Sequence, residues 1–304
     1  MHIIVIGGTR FIGPHVVTAL AGAGHDVIVF HRGESERVDT PVRHIHGDRA
    51  RLPADLHGDL VIDMWCMTEE HARGLFDHFR DERLIVISSG DVYRQYSGLR
   101  GVWAGPPDPV PLSEEAPLRE SLYPYRFMSK GDDLWWSYDK ILVERVVGSD
   151  RTTILRLPAV YGPNDEQHRF ADWLARMGSG ASEIAIDHRE ADWRWTRGYV
   201  ENVADAILLA VANDKAAGKT YNVGEPDAAT QEEWLRRVAD TIGWNGAIVR
   251  ADNPPGTLPL RWDYHLVTDT HAIRRDLGYK ERISREETLA RTLAWERQAQ
   301  RECF

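Results

Sequence analysis

The sequence predicts an α/β fold in which a doubly wound parallel sheet is joined to a smaller C-terminal lobe. Up to Leu157, short apolar runs alternate with stretches of helical periodicity, the sequence form of βαβ units. The first apolar run ends in the glycine-rich turn of IIVIGGTRFIGPHVV, which opens directly into a helical pattern. Beyond Leu157 the alternation loosens into mixed strand-like and helical pieces, which marks the second lobe. Strands are expected at Ile3 to Ile6, Asp26 to Phe30, Arg43 to His46, Leu60 to Asp63, Leu84 to Ile87 and Thr153 to Leu157. Phe11 to Ala23 carries apolar residues at helical spacing, and Gly131 to Val147 reads as one helix closed by Gly148. Between Arg94 and Lys130, Pro106, Pro107, Pro109, Pro111, Pro117 and Pro124 oppose regular helix, so this stretch reads as a long loop. Loops of that length in compact domains often act as lids or binding loops. A last helix is expected from about Arg285 to Arg301. The division that follows is a nucleotide-binding unit at 1–157, rejoined by about 199–224, and a substrate-binding lobe at 158–198 and 225–304.

At 304 residues, with 42% hydrophobic and 28% charged residues, the composition is that of a globular chain with a sizeable core. No apolar run approaches the roughly 18 to 20 residues that cross a bilayer, and Asp205 interrupts the run from Ala204 to Ala212. The chain enters its first strand at once, with no basic segment or cleavage pattern, so the expected location is the cytoplasm. A net charge of −10 works against nucleic acid and anionic membranes as partners. Cys66 and Cys303 lie far apart without ligand spacing, and the His44/His46 pair has no third ligand near it in sequence, so no metal is expected. HExxH, GxSxG and Walker patterns are missing, which leaves zinc hydrolase, serine esterase and P-loop readings unsupported.

Gly7, Gly8 and Gly13 stand between a buried strand and a helix, with Thr9, Arg10, Phe11 and Ile12 between them. Glycines there permit a tight turn and let the backbone approach a pyrophosphate, whose charge the following helix N-terminus stabilises. The chain resembles the extended short-chain dehydrogenase/reductases, in the NAD-dependent epimerase/dehydratase branch, over nearly its whole length. That resemblance implies a Rossmann sheet. The family's GxxGxxG is matched at Gly7 and Gly13, while Arg10 replaces the middle glycine. An NAD site needs an acidic residue at the end of the second strand, and here stand His31 and Arg32. With no anion there and two guanidiniums at hand, NADP is favoured over NAD. The segment HGDR resembles the family's adenine-contacting stretch, which makes Asp48 and Arg49 candidates for cofactor contacts.

LIVISSGDVY resembles the family's SSxxVY strand end and places Ser89 where a hydroxyl meets the substrate oxygen. The family's YxxxK helix is matched only at Lys140, which Glu144 sets in register; Trp136 takes the tyrosine's position. An indole cannot cycle a proton near neutral pH as a phenol can. Tyr138 lies about 200° from Lys140 around an unbroken helix, so only a local distortion would deliver it. Tyr93, Tyr96, Tyr123 and Tyr125 are further phenols, of which Tyr93, like Tyr138, is a candidate proton carrier. LRLPAVYGP resembles the segment that passes nicotinamide toward substrate, implicating Pro158, Val160 and Tyr161. In WRWTRGYVENVADAI, Arg194 and Arg197 are candidate clamps for an anionic substrate group.

The resemblance implies an NADP-linked oxidoreductase or epimerase acting on a sugar, sugar nucleotide or similar small polar molecule, and a homodimer formed through the Gly131 to Val147 helix. The alternative, motivated by Trp136, is a non-catalytic NADP-binding scaffold or sensor. Relatives with a similar GGTRF loop bind RNA, a reading that the acidic charge opposes.

Overall fold

The computed structural model describes residues 1–34 and 38–302. Its strands are β1 (His2–Ile6), β2 (Asp26–His31), β3 (Arg43–His46), β4 (Leu60–Asp63), β5 (Arg83–Ser89), β6 (Thr152–Leu157), β7 (Ala159–Tyr161), β8 (Glu183–Asp187), β9 (Arg197–Tyr199), β10 (Thr220–Asn222) and β11 (Ala247–Ala251). Its helices are α1 (Ile12–Gly22), α2 (Glu69–His78), α3 (Arg94–Leu99), α4 (Leu134–Ser137), α5 (Lys140–Val147), α6 (Ala171–Gly178), α7 (His188–Asp192), α8 (Val200–Ala212), α9 (Gln231–Ile242), α10 (His271–Leu277) and α11 (Arg285–Glu302).

Seven strands form one parallel sheet in the order β10-β6-β5-β4-β1-β2-β3. The order reverses direction between β1 and β4, which opens a crevice at the carboxyl ends of the strands. Ile3 and Val5 face the side covered by α1 and α8, where Val16, Val17, Leu20, Val203 and Ile207 pack. Ile4 and Ile6 face the side covered by α2 and α5, where Leu75, Phe79, Val143 and Val147 pack. Burial on both faces explains why these strands read as continuous apolar runs. In the C-terminal part β8 pairs with β11 and β7 with β9. The apolar cluster around β1 and α1 continues without interruption through Phe170, Trp234 and Leu293, so sheet and lobe share one core.

Two expectations are corrected. The stretch from Gly131 to Val147 is not one helix: α4 is a single turn, and the chain is extended at Tyr138 (φ −60°, ψ 123°) and Asp139 (φ −163°, ψ 110°) before α5 begins at Lys140. The cause is Asp139. Its carboxylate caps α5 through the Ile141 amide at 2.9 Å and receives the buried Arg119 guanidinium at 2.9 and 3.2 Å. It also accepts the Tyr123 amide at 2.6 Å. Those bonds need Asp139 outside the helix, and they outweigh the propensity of the segment to continue. The segment after Arg94, in turn, is not wholly loop, because α3 forms ahead of the first proline.

The rest of that segment is stitched to the C-terminal part. The Leu112 amide donates to the Val267 carbonyl at 2.8 Å, and the Leu112 carbonyl accepts from the Asp269 amide at 2.8 Å. Arg119 and Asp139 are both fully buried. Replacing Asp139 with alanine strands a buried cation, so the chain should lose about 3–5 kcal/mol of stability. Urea unfolding read by far-UV circular dichroism checks this, with Asp139→Asn as the milder companion.

Candidate active site

The crevice is built from the carboxyl ends of β1, β2, β4 and β5. Gly7 ends β1 at φ +79°, and a Cβ on Gly13 would stand 2.5 Å from the Gly8 carbonyl carbon. Helix α1 therefore seats directly on the turn. No side chain caps α1, no acidic residue occupies its first turn, and its N-cap Phe11 has φ +47°. In the first turn the Gly13 amide donates to the Arg10 carbonyl at 2.9 Å and Pro14 has no N–H, so what α1 offers the pyrophosphate of a dinucleotide is chiefly the positive end of its dipole.

At the outer end of the crevice His31 is buried, and its ring is committed to the protein. The Gly33 amide donates to Nδ1 at 3.1 Å, which leaves Nε2 to donate to His44 Nδ1 at 2.9 Å. The His46 ring meets it edge-on at 4.7 Å between centroids. The three histidines thus converge in space, yet among the described residues no group of three or more His, Cys, Asp or Glu is arranged to hold a metal ion. Arg10 and Arg32 converge on one carboxylate, Glu34, at 3.6 and 3.1 Å. Arg10 also pairs with Glu166 at 3.2 Å, and Arg32 lies over the Trp65 ring at 5.5 Å. Asp48 is exposed and caps the short turn that begins at Arg49 by accepting from the Ala50 amide. Arg49 departs from the expectation of a cofactor contact. Its guanidinium is clamped on the buried Asp63 at 2.7 and 3.2 Å and on the Trp65 carbonyl at 2.7 Å, so it braces the end of β4.

At the inner end Ser89 terminates β5, and its hydroxyl accepts from the Asp91 amide at 3.2 Å. The Lys140 Nζ donates to the carbonyls of Cys66 at 2.7 Å and Ile87 at 2.9 Å. Two of its three protons are thereby used, and the third remains for a ligand such as a ribose hydroxyl. Burial lowers its pKa. Because the chain is extended at 138–139, the Tyr138 side chain turns inward; it is 7% exposed, and its hydroxyl donates to Asp91 Oδ2 at 2.8 Å. Trp136, by contrast, is 49% exposed, with Arg126 stacked over its ring at 4.7 Å. Trp136 therefore does not occupy the place of a catalytic tyrosine: the register argument assumed an unbroken helix. Tyr93 is also removed from the site. Its hydroxyl donates to Asn222 Oδ1 at 2.6 Å and accepts from Arg156 at 3.0 Å, and burial pushes its pKa up to about 12.

Toward the lobe, Pro158 packs under Gly198 and Gly224, and the Val160 carbonyl accepts from Arg169 Nε at 2.8 Å. Tyr161 is fully buried, with its hydroxyl bonded to Glu225 and Thr288, so it shapes the core and cannot reach a substrate. Arg194 carries a guanidinium with no hydrogen bond or ion pair to any described residue, while its amide donates to His265 at 3.2 Å. Arg197 is 4% exposed and lies between the Phe170 and Trp234 rings. It makes one side-chain hydrogen bond, to Gln231 at 2.8 Å, and its Nε is buried without a partner. Burial, reinforced by the charge of Arg169, brings its pKa down to about 10.

Arg169, Trp65 and Asp91 escaped the sequence reading. Asp91 offered the one available signal, a carboxylate set between the hydroxyl-bearing strand end and an apolar pair in SSGDVY.

The sequence pattern of the NAD dependent epimerase/dehydratase family matches residues 3–63 and 137–224, the two stretches that supply the turn, the β4 end, Tyr138 and Lys140. The chain belongs to this family of enzymes. It is 26% identical to 2′-dehydrokanamycin reductase of Streptomyces kanamyceticus, an alignment covering 93% of this chain and 79% of the relative. Its fold matches that of UDP-glucose 4-epimerase from Thermotoga maritima, solved with UDP-glucose, with a TM-score of 0.70, 21% identity and coverage of 99% and 100% of the two chains. A second match is MoeE5 in complex with UDP-glucuronic acid and NAD, with a TM-score of 0.68, 21% identity and coverage of 98% and 100%. Among the described residues no helix is long and apolar enough to cross a membrane.

His71 lies against Trp65 and beneath Arg49, and its Nδ1 accepts from the Met67 amide. Burial, followed by the charge of Arg49, holds its pKa down at about 4. The unfolded chain therefore binds more protons between about pH 6.5 and pH 4, and stability falls as pH drops through that window. With partial solvent screening allowed for, about 1–2 kcal/mol is at stake. His71→Gln should flatten that part of the stability profile, as measured by urea midpoints across pH.

Proposed function

We propose that the protein is an NADP-dependent oxidoreductase of the epimerase/dehydratase family, acting on a small polar substrate that carries an anionic group, and that Tyr138 is its proton carrier. The observation that carries this reading is the extended backbone at 138–139, which brings the Tyr138 hydroxyl to Asp91, two residues beyond Ser89. A phenol is thus supplied from inside the expected helix, and the Trp136 argument for a non-catalytic scaffold loses its basis.

When bound, a nicotinamide cofactor supplies hydride transfer at its ring C4. The residues of this chain then divide the remaining work. The glycine turn and the N-terminal end of α1 hold the pyrophosphate, and the spare Lys140 proton holds a ribose oxygen. The Ser89 hydroxyl polarises the substrate oxygen, and Tyr138 Oη gives or takes its proton. The convergence of Arg10 and Arg32, together with a β2 end that lacks a carboxylate, supports NADP over NAD, although the MoeE5 complex contains NAD. In this reading Asp48 contacts the adenine ribose, and Pro158 and Val160 line the nicotinamide end. Buried Arg197 with its unpartnered Nε, together with Arg169 and Arg194, supports an anionic substrate, for which sugar nucleotides are the leading class. α5, the helical remainder of the Gly131 to Val147 stretch, is the element through which a homodimer is expected.

Native mass spectrometry and nucleotide fluorescence titration test the cofactor half. NADPH should bind at least about tenfold more tightly than NADH, a difference worth about 1.4 kcal/mol, and Arg32→Ala should erase the preference. Binding of NADH alone would overturn it. Lys140→Ala should weaken binding of either nucleotide. Turnover against a panel of sugar nucleotides tests the other half: Tyr138→Phe should lower it by roughly 10²- to 10⁴-fold, and Trp136→Phe should leave it near that of the parent.

A further inference from the structure

Asp91 is held at its amide, its carbonyl and one carboxylate oxygen at the inner end of the crevice. It sits in the short turn after β5, where its amide donates to Ser89 Oγ and its carbonyl accepts from Arg119 Nε at 2.8 Å. Arg119 is in turn fixed by Asp139, the cap of the helix that begins with Lys140. Asp91 is therefore tied to Ser89 through its amide, to the start of the Lys140 helix through its carbonyl, Arg119 and Asp139, and to Tyr138 through its carboxylate. Its Oδ2 accepts two phenols, Tyr138 at 2.8 Å and Tyr125 at 3.0 Å. Its Oδ1 is buried and has no hydrogen-bond partner. A buried carboxylate oxygen without a donor is costly, and such a cost is usually tied to a role in binding or proton transfer.

We propose that Asp91 is a positioning residue that acts through Tyr138, holding the phenol pair and receiving the proton that Tyr138 relays. The inference rests on the reading of Tyr138 as proton carrier and extends it. In the oxidising direction the substrate hydroxyl proton passes to Tyr138 Oη as the proton of Tyr138 passes to Asp91 Oδ2. The substrate C–H bond breaks with its electron pair, which leaves as hydride to a nicotinamide dinucleotide. The substrate becomes a carbonyl, Tyr138 ends as a neutral phenol and Asp91 as a neutral acid; the reducing direction runs these moves backward. In this way no phenolate has to form beside a carboxylate.

The groups facing Asp91 are the cations of Arg119 and Lys140 and the phenols of Tyr96, Tyr125 and Tyr138. Neither cation hydrogen-bonds its carboxylate. Burial therefore prevails and pushes the Asp91 pKa up, while burial and Asp91 together push Tyr138 far above the ordinary phenol range. The proton thus has a carboxylate as its resting place, and Tyr138 serves as the conduit.

The experiment compares Asp91→Asn, Tyr125→Phe and Tyr138→Phe in the full chain. Asparagine keeps the shape and accepts the phenols but takes no proton. The first readout is infrared titration of the cofactor-free protein. A protonated-carboxyl stretch should persist to higher pH than those of surface carboxylates and vanish in Asp91→Asn. Its midpoint should move upward in Tyr125→Phe, which removes one bond to the ionised form. The second is the pH profile of oxidative turnover, which should fall on the acid side with the same midpoint. Asp91→Asn should lose that inflection and on the order of 10²-fold in turnover, with KM and nucleotide affinity unchanged. Parent-like turnover with the acid inflection intact in Asp91→Asn, or an unmoved infrared midpoint in Tyr125→Phe, would overturn the inference. If Tyr138→Phe is dead and Asp91→Asn is active, only the coupling falls. If Tyr138→Phe is fully active, the reading of Tyr138 falls with it.

Discussion

The geometry of the catalytic end depends on the bidentate pair between Arg119 and Asp139, closed to water on both sides. A pair of that kind is neutral at best as a source of stability, because desolvation consumes most of its attraction. What it contributes here is position. Asp139 can bind Arg119, cap α5 and hold the Tyr123 amide only if the chain leaves helical geometry just before Lys140. Everything at the inner end of the crevice follows from that departure: the inward turn of Tyr138, the outward turn of Trp136 and the start of α5 at the lysine.

The outer end obeys a different constraint. Close packing of Gly13 on Gly8 sets the turn against α1 and brings the positive end of an uncapped helix to the crevice. Around it the protein has placed two exposed cations on surface carboxylates, Arg10 and Arg32 sharing Glu34 and Arg10 also reaching Glu166. Arg49 looks similar in sequence but spends its charge inside the protein, on Asp63. What separates the exposed arginines from the bracing one here is whether a buried carboxylate lies within reach.

Much of this could be read from the chain itself. The sheet was legible because its strands are buried on both faces and so appear as uninterrupted apolar runs, and β3 and β4 end at the residues that periodicity indicates. The glycine turn and Lys140 were legible because their chemistry demands fixed spacing. The helix break was not. It depends on Arg119, a residue twenty positions away in a proline-rich stretch, and no local pattern encodes such a contact. Tyr161 and Tyr93 misled for the related reason that a tyrosine in a motif-like segment reads the same whether its hydroxyl meets a ligand or is consumed, as theirs are, by Glu225 and Asn222.

The backbone bonds that tie Leu112 to Val267 and Asp269 join parts of the chain separated by half its length. Closing so large a loop costs entropy that only the finished contact repays, and contacts between distant segments tend to form late. The parallel sheet and its nucleotide turn rest on shorter-range pairings and can assemble before the wall that carries Tyr125 and Arg119. A chain arrested partway would hold the glycine turn and its crevice without the wall that carries Tyr125 and Arg119.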